Sequence, residues 1–274
     1  MLTSQICESS SRKWILYLRG AKALISSNNT EEPMDHSLHF LYDLYGFLSC
    51  IINFTYDGRT ELHNYVQAIP VRMHRQRSRP KIMPLTGVAN DLYESLGNIN
   101  DLASRRASRS DTESTQTEFL SRSRDIELTL QAWTPGKAGE NNRSFQEVNA
   151  AAMAIQWAAL MRLHQVVCGN DITHPKVQTA VENILSALSL IRPGSKVESH
   201  ILLPLFMAGV GSTSKANRLT VEYRLKIMEA TVGFGNIIGA HRLLDSLWQS
   251  MNDGVDNLDW EMLMRRDFAG VVLL

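Results

Sequence analysis

Apolar residues recur every three or four positions along most of the chain, which is the spacing of an amphipathic α-helix. The first such segment begins at Trp14 and fades at Ser26. The segment from Leu38 to Phe54 is apolar on nearly all sides. We therefore predict that this second segment is a buried central helix that ends at a turn near Asp57.

A long helix is predicted after Ser144 and Glu147, which form a capping-box pattern. In this pattern the hydroxyl and the carboxylate each accept a hydrogen bond from a backbone N–H that the helix leaves free. Gly169 can take the left-handed conformation that closes such a helix, and Pro175 suits the first turn of the next one. The sequence thus predicts where the helix after Ser144 ends and where the next helix begins.

The last third of the chain contains a pair of helices separated by glycines. We expect Gly235 to break the chain at a positive φ and Asn236 to cap the helix that follows. Trp248 shares one face of that helix with Leu244 and Leu247, so we expect it to be buried in a C-terminal core. Asp259 is the candidate cap of a final helix.

No stretch alternates apolar and polar residues for long enough to require a strand. We predict an all-α fold, in which residues 1–274 form a single bundle-like domain of roughly eight to ten helices, some of them crossing at right angles. Composition predicts flexible loops at about residues 70–84, which are rich in proline and cations, at 104–117, which are rich in serine and arginine, and at 134–143.

The balance of charges argues against general attraction to nucleic acid. The chain has 28 Lys and Arg residues and 28 Asp and Glu residues, so its formal net charge is zero. One local stretch is basic, and a nuclear-import or phosphate-contact loop is one interpretation of it, while a solvated loop is the commoner state of such runs. Its cations are Arg72, Arg75, Arg77, Arg79 and Lys81.

Cysteines and histidines give no metal site. Cys7, Cys50 and Cys168 are odd in number and far apart, which argues against disulfides, favours a reducing compartment and excludes a six-thiolate zinc cluster within this chain. His36 and His39 have a helical spacing that suits a metal, but no third ligand is near. The sequence contains no run of about 18 uncharged apolar residues, so it predicts no membrane-spanning helix.

Glycine-rich segments do not match phosphate-binding motifs either. Residues 209–215 lack the Gly-Lys-Ser/Thr ending of a P-loop, and residues 233–239 follow a helix where a dinucleotide site needs a strand.

We predict no catalytic residue and no cofactor in this chain. Apolar and methionine residues of the last third are a candidate pocket for a hydrophobic effector, although ordinary core is the commoner role of such residues. They are Phe206, Met207, Met228, Phe234 and Trp248.

Several segments, in this order and spacing, resemble one protein family. They are Leu18–Ile25, Pro84–Leu92, Ile126–Pro135, Leu203–Gly209, Gly233–Asn236, Leu244 with Trp248, and Asp259-Trp260. The family is the second of the two large regulatory-domain families found downstream of fungal zinc clusters, a group that includes regulators of arginine metabolism and sterol uptake. The resemblance covers most of the chain.

The resemblance implies a nuclear, non-catalytic module that dimerises, receives a metabolic or protein signal, and controls transcription by RNA polymerase II. It also implies that the zinc-cluster DNA-binding module, with its zinc, and some N-terminal helices lie outside this chain. The expected partners are a second copy, other transcription-regulatory proteins and a small hydrophobic effector, without specific DNA binding by this chain alone. The alternatives are a helical enzyme with a site assembled from scattered residues and a helical scaffold without a ligand.

Overall fold

Helices make up nearly all of the chain that the computed structural model describes, which is residue 8 and residues 14–27, 36–55, 90–107, 113–135, 143–255 and 259–274. Ten α-helices and one short 3₁₀ helix occur in these residues, and no strand does. The prediction of an all-α fold is confirmed.

The helices are numbered in chain order. They are α1 (Trp14–Ser27), α2 (His36–Thr55), α3 (Asn90–Ala107), α4 (Glu113–Ala132), α5 (Arg143–Cys168), α6 (Pro175–Ser189), a 3₁₀ helix (Glu198–His200), α7 (Leu202–Gly211), α8 (Lys215–Thr231), α9 (Gly235–Asn252) and α10 (Trp260–Asp267). Three of the predicted helix ends are confirmed. Gly169 has a φ of 92° after α5, Pro175 opens α6, and the Asp259 carboxylate accepts a hydrogen bond from the N–H of Glu261 at the start of α10.

The central helix is α5, which packs against α3, α4, α6 and α7. Its residues between Ala150 and Val166 are almost all buried, and six of the buried residues are alanines, whose small side chains allow neighbouring helices to come close. The prediction that the segment from Leu38 to Phe54 is central is therefore wrong in position. That segment forms most of α2, which is well buried from Tyr45 onward but packs mainly against α1 and α3.

Helix α7 is a second interior helix, with all ten of its residues buried. It can lie close to its neighbours because it carries two glycines on its last turn. A Cβ atom on Gly209 would lie 2.6 Å from Cδ1 of Leu244 in α9, and one on Gly211 would lie 2.6 Å from Cε of Met161 in α5. Contacts this short do not occur in folded proteins, so the packing of α7 depends on glycine.

The break between α8 and α9 differs from the prediction. Gly233, not Gly235, has the positive φ, at 71°, and its N–H donates a hydrogen bond to the carbonyl of Met228. The cap residue of α9 is Phe234, while Asn236 lies inside the first turn and is fully buried. Its side-chain amide donates to the carbonyl oxygens of Val272 and Leu274, because the C-terminal segment brings two acceptors to this point.

The predicted loop at residues 104–117 is largely helical. Helix α3 continues to Ala107 and α4 already begins at Glu113. Serine, arginine and glutamate are acceptable on a solvent-facing helix, so the polar composition indicated exposure and did not exclude a helix. An ion pair of 3.8 Å between Arg105 and Glu118 also links the two helices. Residues 70–84, 108–112 and 136–142 lie outside the described part of the chain.

We predict that Gly209→Ala destabilises the protein by about 1–3 kcal/mol, because the added methyl group would overlap with Leu244. Gly97→Ala is the matched control, since Gly97 is also inside a helix but has nothing within 4 Å of the added Cβ. This second change should be neutral or stabilise by up to about 1 kcal/mol. Urea unfolding of both variants measures the difference. Equal effects would mean that α7 and α9 are not in close contact at Gly209.

Candidate functional site

Four of the five residues predicted to line an effector pocket are interior. Phe206 and Met207 on α7 and Met228 on α8 are completely buried, and Trp248 on α9 is 7% exposed. Phe234 is different, because it lies before the first turn of α9 and is 42% exposed. The structure thus places four of these side chains in the C-terminal core and one at the surface, and their binding of an effector stays a prediction.

Trp248 is fixed by a polar contact as well as by packing. Its indole N–H donates a hydrogen bond of 3.0 Å to the carbonyl oxygen of Gly209 near the end of α7, and this oxygen also accepts a hydrogen bond from the N–H of Ser212. The guanidinium of Arg218 lies over the indole ring at 6.0 Å and also donates to the carbonyl of Ser212. Trp248 is buried beside Leu244 and Leu247, as the sequence predicted.

Phe206 belongs to a buried cluster that joins four helices, which we call the Trp260 cluster. The ring of Trp260 from α10 stacks on Phe54 of α2 at 6.3 Å and meets Phe206 of α7 edge-on at 5.4 Å. The guanidinium of Arg162 from α5 lies 5.5 Å from the Trp260 ring centre and 5.6 Å from that of Phe54. A cation over an aromatic face is favourable, more so when water is excluded.

The charge of Arg162 is matched by one carboxylate. Nη1 of Arg162 forms an ion pair with Oε1 of Glu261, and both side chains are nearly inaccessible to solvent. Glu261 also lies 4.0 Å from Nη1 of Arg265 one turn later, which is a longer and more exposed contact. A buried arginine needs a partner because an isolated charge in the interior is strongly unfavourable. Glu261 therefore ties α10 to the central helix.

A second charged network holds the connection between α6 and the 3₁₀ helix. Oε1 of Glu147 accepts a hydrogen bond of 2.7 Å from Nε of Arg192, and Glu198 accepts one of 2.7 Å from the N–H of Gly194. Glu198 also pairs with Arg224 of α8 at 3.1 Å. The hydrogen bond from Arg192 lowers the pKa of the Glu147 carboxyl, whereas burial raises that of Glu198 despite Arg224.

This network corrects the predicted capping box. Helix α5 already begins at Arg143, and the Glu147 carboxylate points to Arg192 across the fold, with no hydrogen bond among the described contacts to the N–H of Ser144. The guanidinium of Arg192 is a charged donor whereas a helix-end N–H is a neutral one, so the carboxylate binds more strongly to Arg192. Glu147, which the sequence pattern assigned to a helix end, instead connects α5 to Arg192 in the segment after α6.

His164 on α5 is a buried titratable group beside other charges. It is 8% exposed and lies 3.9 Å from Oε1 of Glu127 on α4, which also pairs with Lys176 of α6 at 2.7 Å. Burial, helped by the charge on Lys176, lowers the pKa of His164 to about 4 despite the opposing effect of Glu127. His164 is therefore neutral in the folded protein at neutral pH.

The other predicted residues divide into three groups. The basic stretch with Arg72, Arg75, Arg77, Arg79 and Lys81 lies outside the described residues, as does Cys7. The backbone of His36 and His39 is in α2, but the structure does not describe their side chains. Burial raises the pKa of the Cys50 thiol to about 12, and Cys168 is exposed.

Within the described ranges no group of His, Cys, Asp and Glu side chains has the arrangement of a metal site. None of the helices in the described residues is both long and apolar enough to cross a membrane.

Sequence reasoning missed the buried charges. Arg162 and His164 follow an alanine-rich apolar stretch of α5, and this departure from amphipathic patterning was the available indication. Glu198 and Glu261 lie in short polar segments that look like ordinary surface. Their partners are 26 and 99 residues away, so only the fold could pair them.

The geometry defines an all-α protein whose interior helices are joined by paired charges and aromatic contacts. The chain belongs to the fungal specific transcription factor domain family, whose model matches residues 1–273. No curated protein and no solved structure matched the chain. Membership of this family gives the chain a role in transcriptional regulation, and the family is one of transcription factors rather than enzymes.

We predict that His164 makes the protein less stable as the pH falls. Its folded-state pKa of about 4 is below its ordinary value of 6.5, so between these values the unfolded chain binds a proton that the folded chain does not. The contribution is complete above pH 6.5 and declines toward pH 4, by at most about 3 kcal/mol. His164→Gln should remove this part of the pH dependence. Urea midpoints at pH 7 and pH 5 test it, and identical pH dependence in both proteins would contradict it.

Proposed function

We propose that the chain is the non-catalytic regulatory module of a nuclear transcription factor. In this role it forms a homodimer, receives an effector, and controls transcription by RNA polymerase II through DNA-binding residues outside the chain. The observation that carries the proposal is the family match across residues 1–273. The zero formal net charge supports the view that sequence-specific DNA contact is made elsewhere.

The solvent face of α8 supports the dimer part of the proposal. Leu219 and Tyr223 are one helical turn apart, and they are 53% and 68% exposed. Exposed tyrosine and leucine at this spacing form a ridge that a second copy of the same helix can pack against. The two-fold symmetry of a homodimer would place Tyr223 near its own equivalent.

The interior supports the effector part of the proposal. Phe206, Met207, Met228 and Trp248 lie in the C-terminal core, where α7, α8 and α9 pack against one another. Packed helices can shift relative to one another when a ligand favours one arrangement. A ligand that enters this core would thereby change the outer face of α8.

The regulatory role is tested by fusing the chain to an unrelated DNA-binding module in yeast and measuring a reporter gene. The fusion should change reporter output relative to the DNA-binding module alone, and Trp248→Ala should abolish that change because it removes a core contact. Gly97→Ala, which adds a methyl group into open space, should behave like the unmodified fusion. Reporter output equal to that of the DNA-binding module alone would reject the regulatory role and favour the enzyme or scaffold alternatives.

For the dimer we predict that Tyr223→Glu weakens self-association by about tenfold or more, because it places two like charges at the symmetric contact. Leu128→Glu is the matched control, since Leu128 on α4 is also exposed, at 54%, but lies on a different helix. Sedimentation equilibrium measures both. A monomeric wild-type chain, or equal weakening by the two variants, would reject the α8 interface.

A further inference from the structure

The Trp260 cluster of Phe54, Arg162, Phe206 and Trp260 remains short of hydrogen-bond acceptors even though Glu261 pairs with Arg162. Nε of Arg162 and Nε1 of Trp260 are both buried, and neither has a hydrogen-bond partner among the described residues. Buried polar groups in folded proteins nearly always have a partner, so an exception indicates a water molecule or ligand that completes the site. Of these two donors, Nε of Arg162 belongs to the surface against which Trp260 and Glu261 pack, and it calls for an acceptor such as a carboxylate oxygen.

The cluster is completed by two consecutive residues of one short helix. Trp260 supplies a flat ring that stacks on Phe54 and contacts Phe206 edge-on. Glu261 supplies the carboxylate that pairs with Arg162. Together these two side chains present an aromatic ring next to a carboxylate. The surfaces that receive them are aromatic and cationic, and they belong to three other helices, α2, α5 and α7.

We propose that Phe54, Arg162 and Phe206 form a binding site for an aromatic carboxylic acid, and that Trp260 and Glu261 occupy this site as an internal substitute for it. The proposal names the ligand class for the effector-sensing role and rests on that role. A free aromatic acid would place its ring where the indole lies and its carboxylate where Glu261 contacts Arg162. Its second carboxylate oxygen would accept from Nε of Arg162, which Glu261 leaves without a hydrogen-bond partner.

The electrostatics couple ligand binding to the release of α10. The guanidinium of Arg162 is almost fully buried and cannot lose its anion without a large penalty. Glu261 can therefore leave only if another anion replaces it, and a released Glu261 carboxylate regains water. Exchange of one carboxylate for another keeps the interior charge balanced, so the free acid removes the barrier that holds α10 in place.

Release of α10 would affect the C-terminal segment that follows it. Residues 270–273 are buried, and Asn236 at the start of α9 holds the carbonyl oxygens of Val272 and Leu274. A Cβ on Gly239 would lie 2.4 Å from Cγ2 of Val271, so α9 and this segment are in close contact. Movement of α10 thus reaches α9 and the proposed dimer face on its neighbour α8.

The test is calorimetric titration of 3-phenylpropionate into the whole chain and into Glu261→Gln, which keeps the side-chain shape and removes the competing anion. The variant should bind the acid about tenfold or more tightly than the unmodified chain, because its site is no longer occupied by an internal carboxylate. The neutral analogue 3-phenylpropan-1-ol should bind the variant at least about tenfold more weakly than the acid. Glu229→Gln, which removes a carboxylate paired with His241 elsewhere, should match the unmodified chain.

Hydrogen exchange of the unmodified chain gives a second readout that needs no variant. Saturating 3-phenylpropionate should accelerate amide exchange in residues 260–267 and leave α6 unchanged. Equal affinities of the unmodified chain and Glu261→Gln, or no binding to either, would overturn the proposal. Binding that survives in Arg162→Lys/Glu261→Gln would overturn it as well. None of these results changes the reporter output of the fusion, so the regulatory role is judged separately.

Discussion

The ion pair between Arg162 and Glu261 is the contact on which the C-terminal half of the structure depends. Arg162 lies in the buried part of the central helix α5, where a charge without a partner would be strongly unfavourable. Glu261 satisfies it from the first turn of α10, and this contact brings Trp260 against Phe54 and Phe206. One electrostatic requirement therefore fixes the position of α10 relative to α2, α5 and α7.

The same requirement recurs where the chain turns between helices. Glu198 is buried between the N–H of Gly194 and the guanidinium of Arg224, and Glu147 receives Arg192. These contacts join α5 and α8 to the connection after α6, so that an irregular segment takes one conformation. Apolar packing determines which helices are in contact. The paired charges determine the position of one helix along another, because sliding either helix would separate the two charged side chains.

Most of the fold could be predicted from the sequence because helical periodicity is a local property. It predicted the all-α class and the burial of Trp248, and local chemistry placed the helix ends at Gly169, Pro175 and Asp259. It failed where tertiary contacts override local rules, as at Glu147, and where polar composition was taken to predict a flexible loop, as at residues 104–117. The Trp260 cluster could not be predicted, since Arg162 and Glu261 are brought together only by the fold.

Arg162 and Glu261 stabilise the structure as a pair, and a double-mutant cycle measures this directly. Arg162→Met and Glu261→Gln should each destabilise the protein by about 3–5 kcal/mol, because each leaves the other residue buried without its partner. The double variant contains neither charge, so urea unfolding should show it to be more stable than at least one single variant and far from additive. Additive losses, with the double variant the least stable of all, would show that the two residues do not act as a pair.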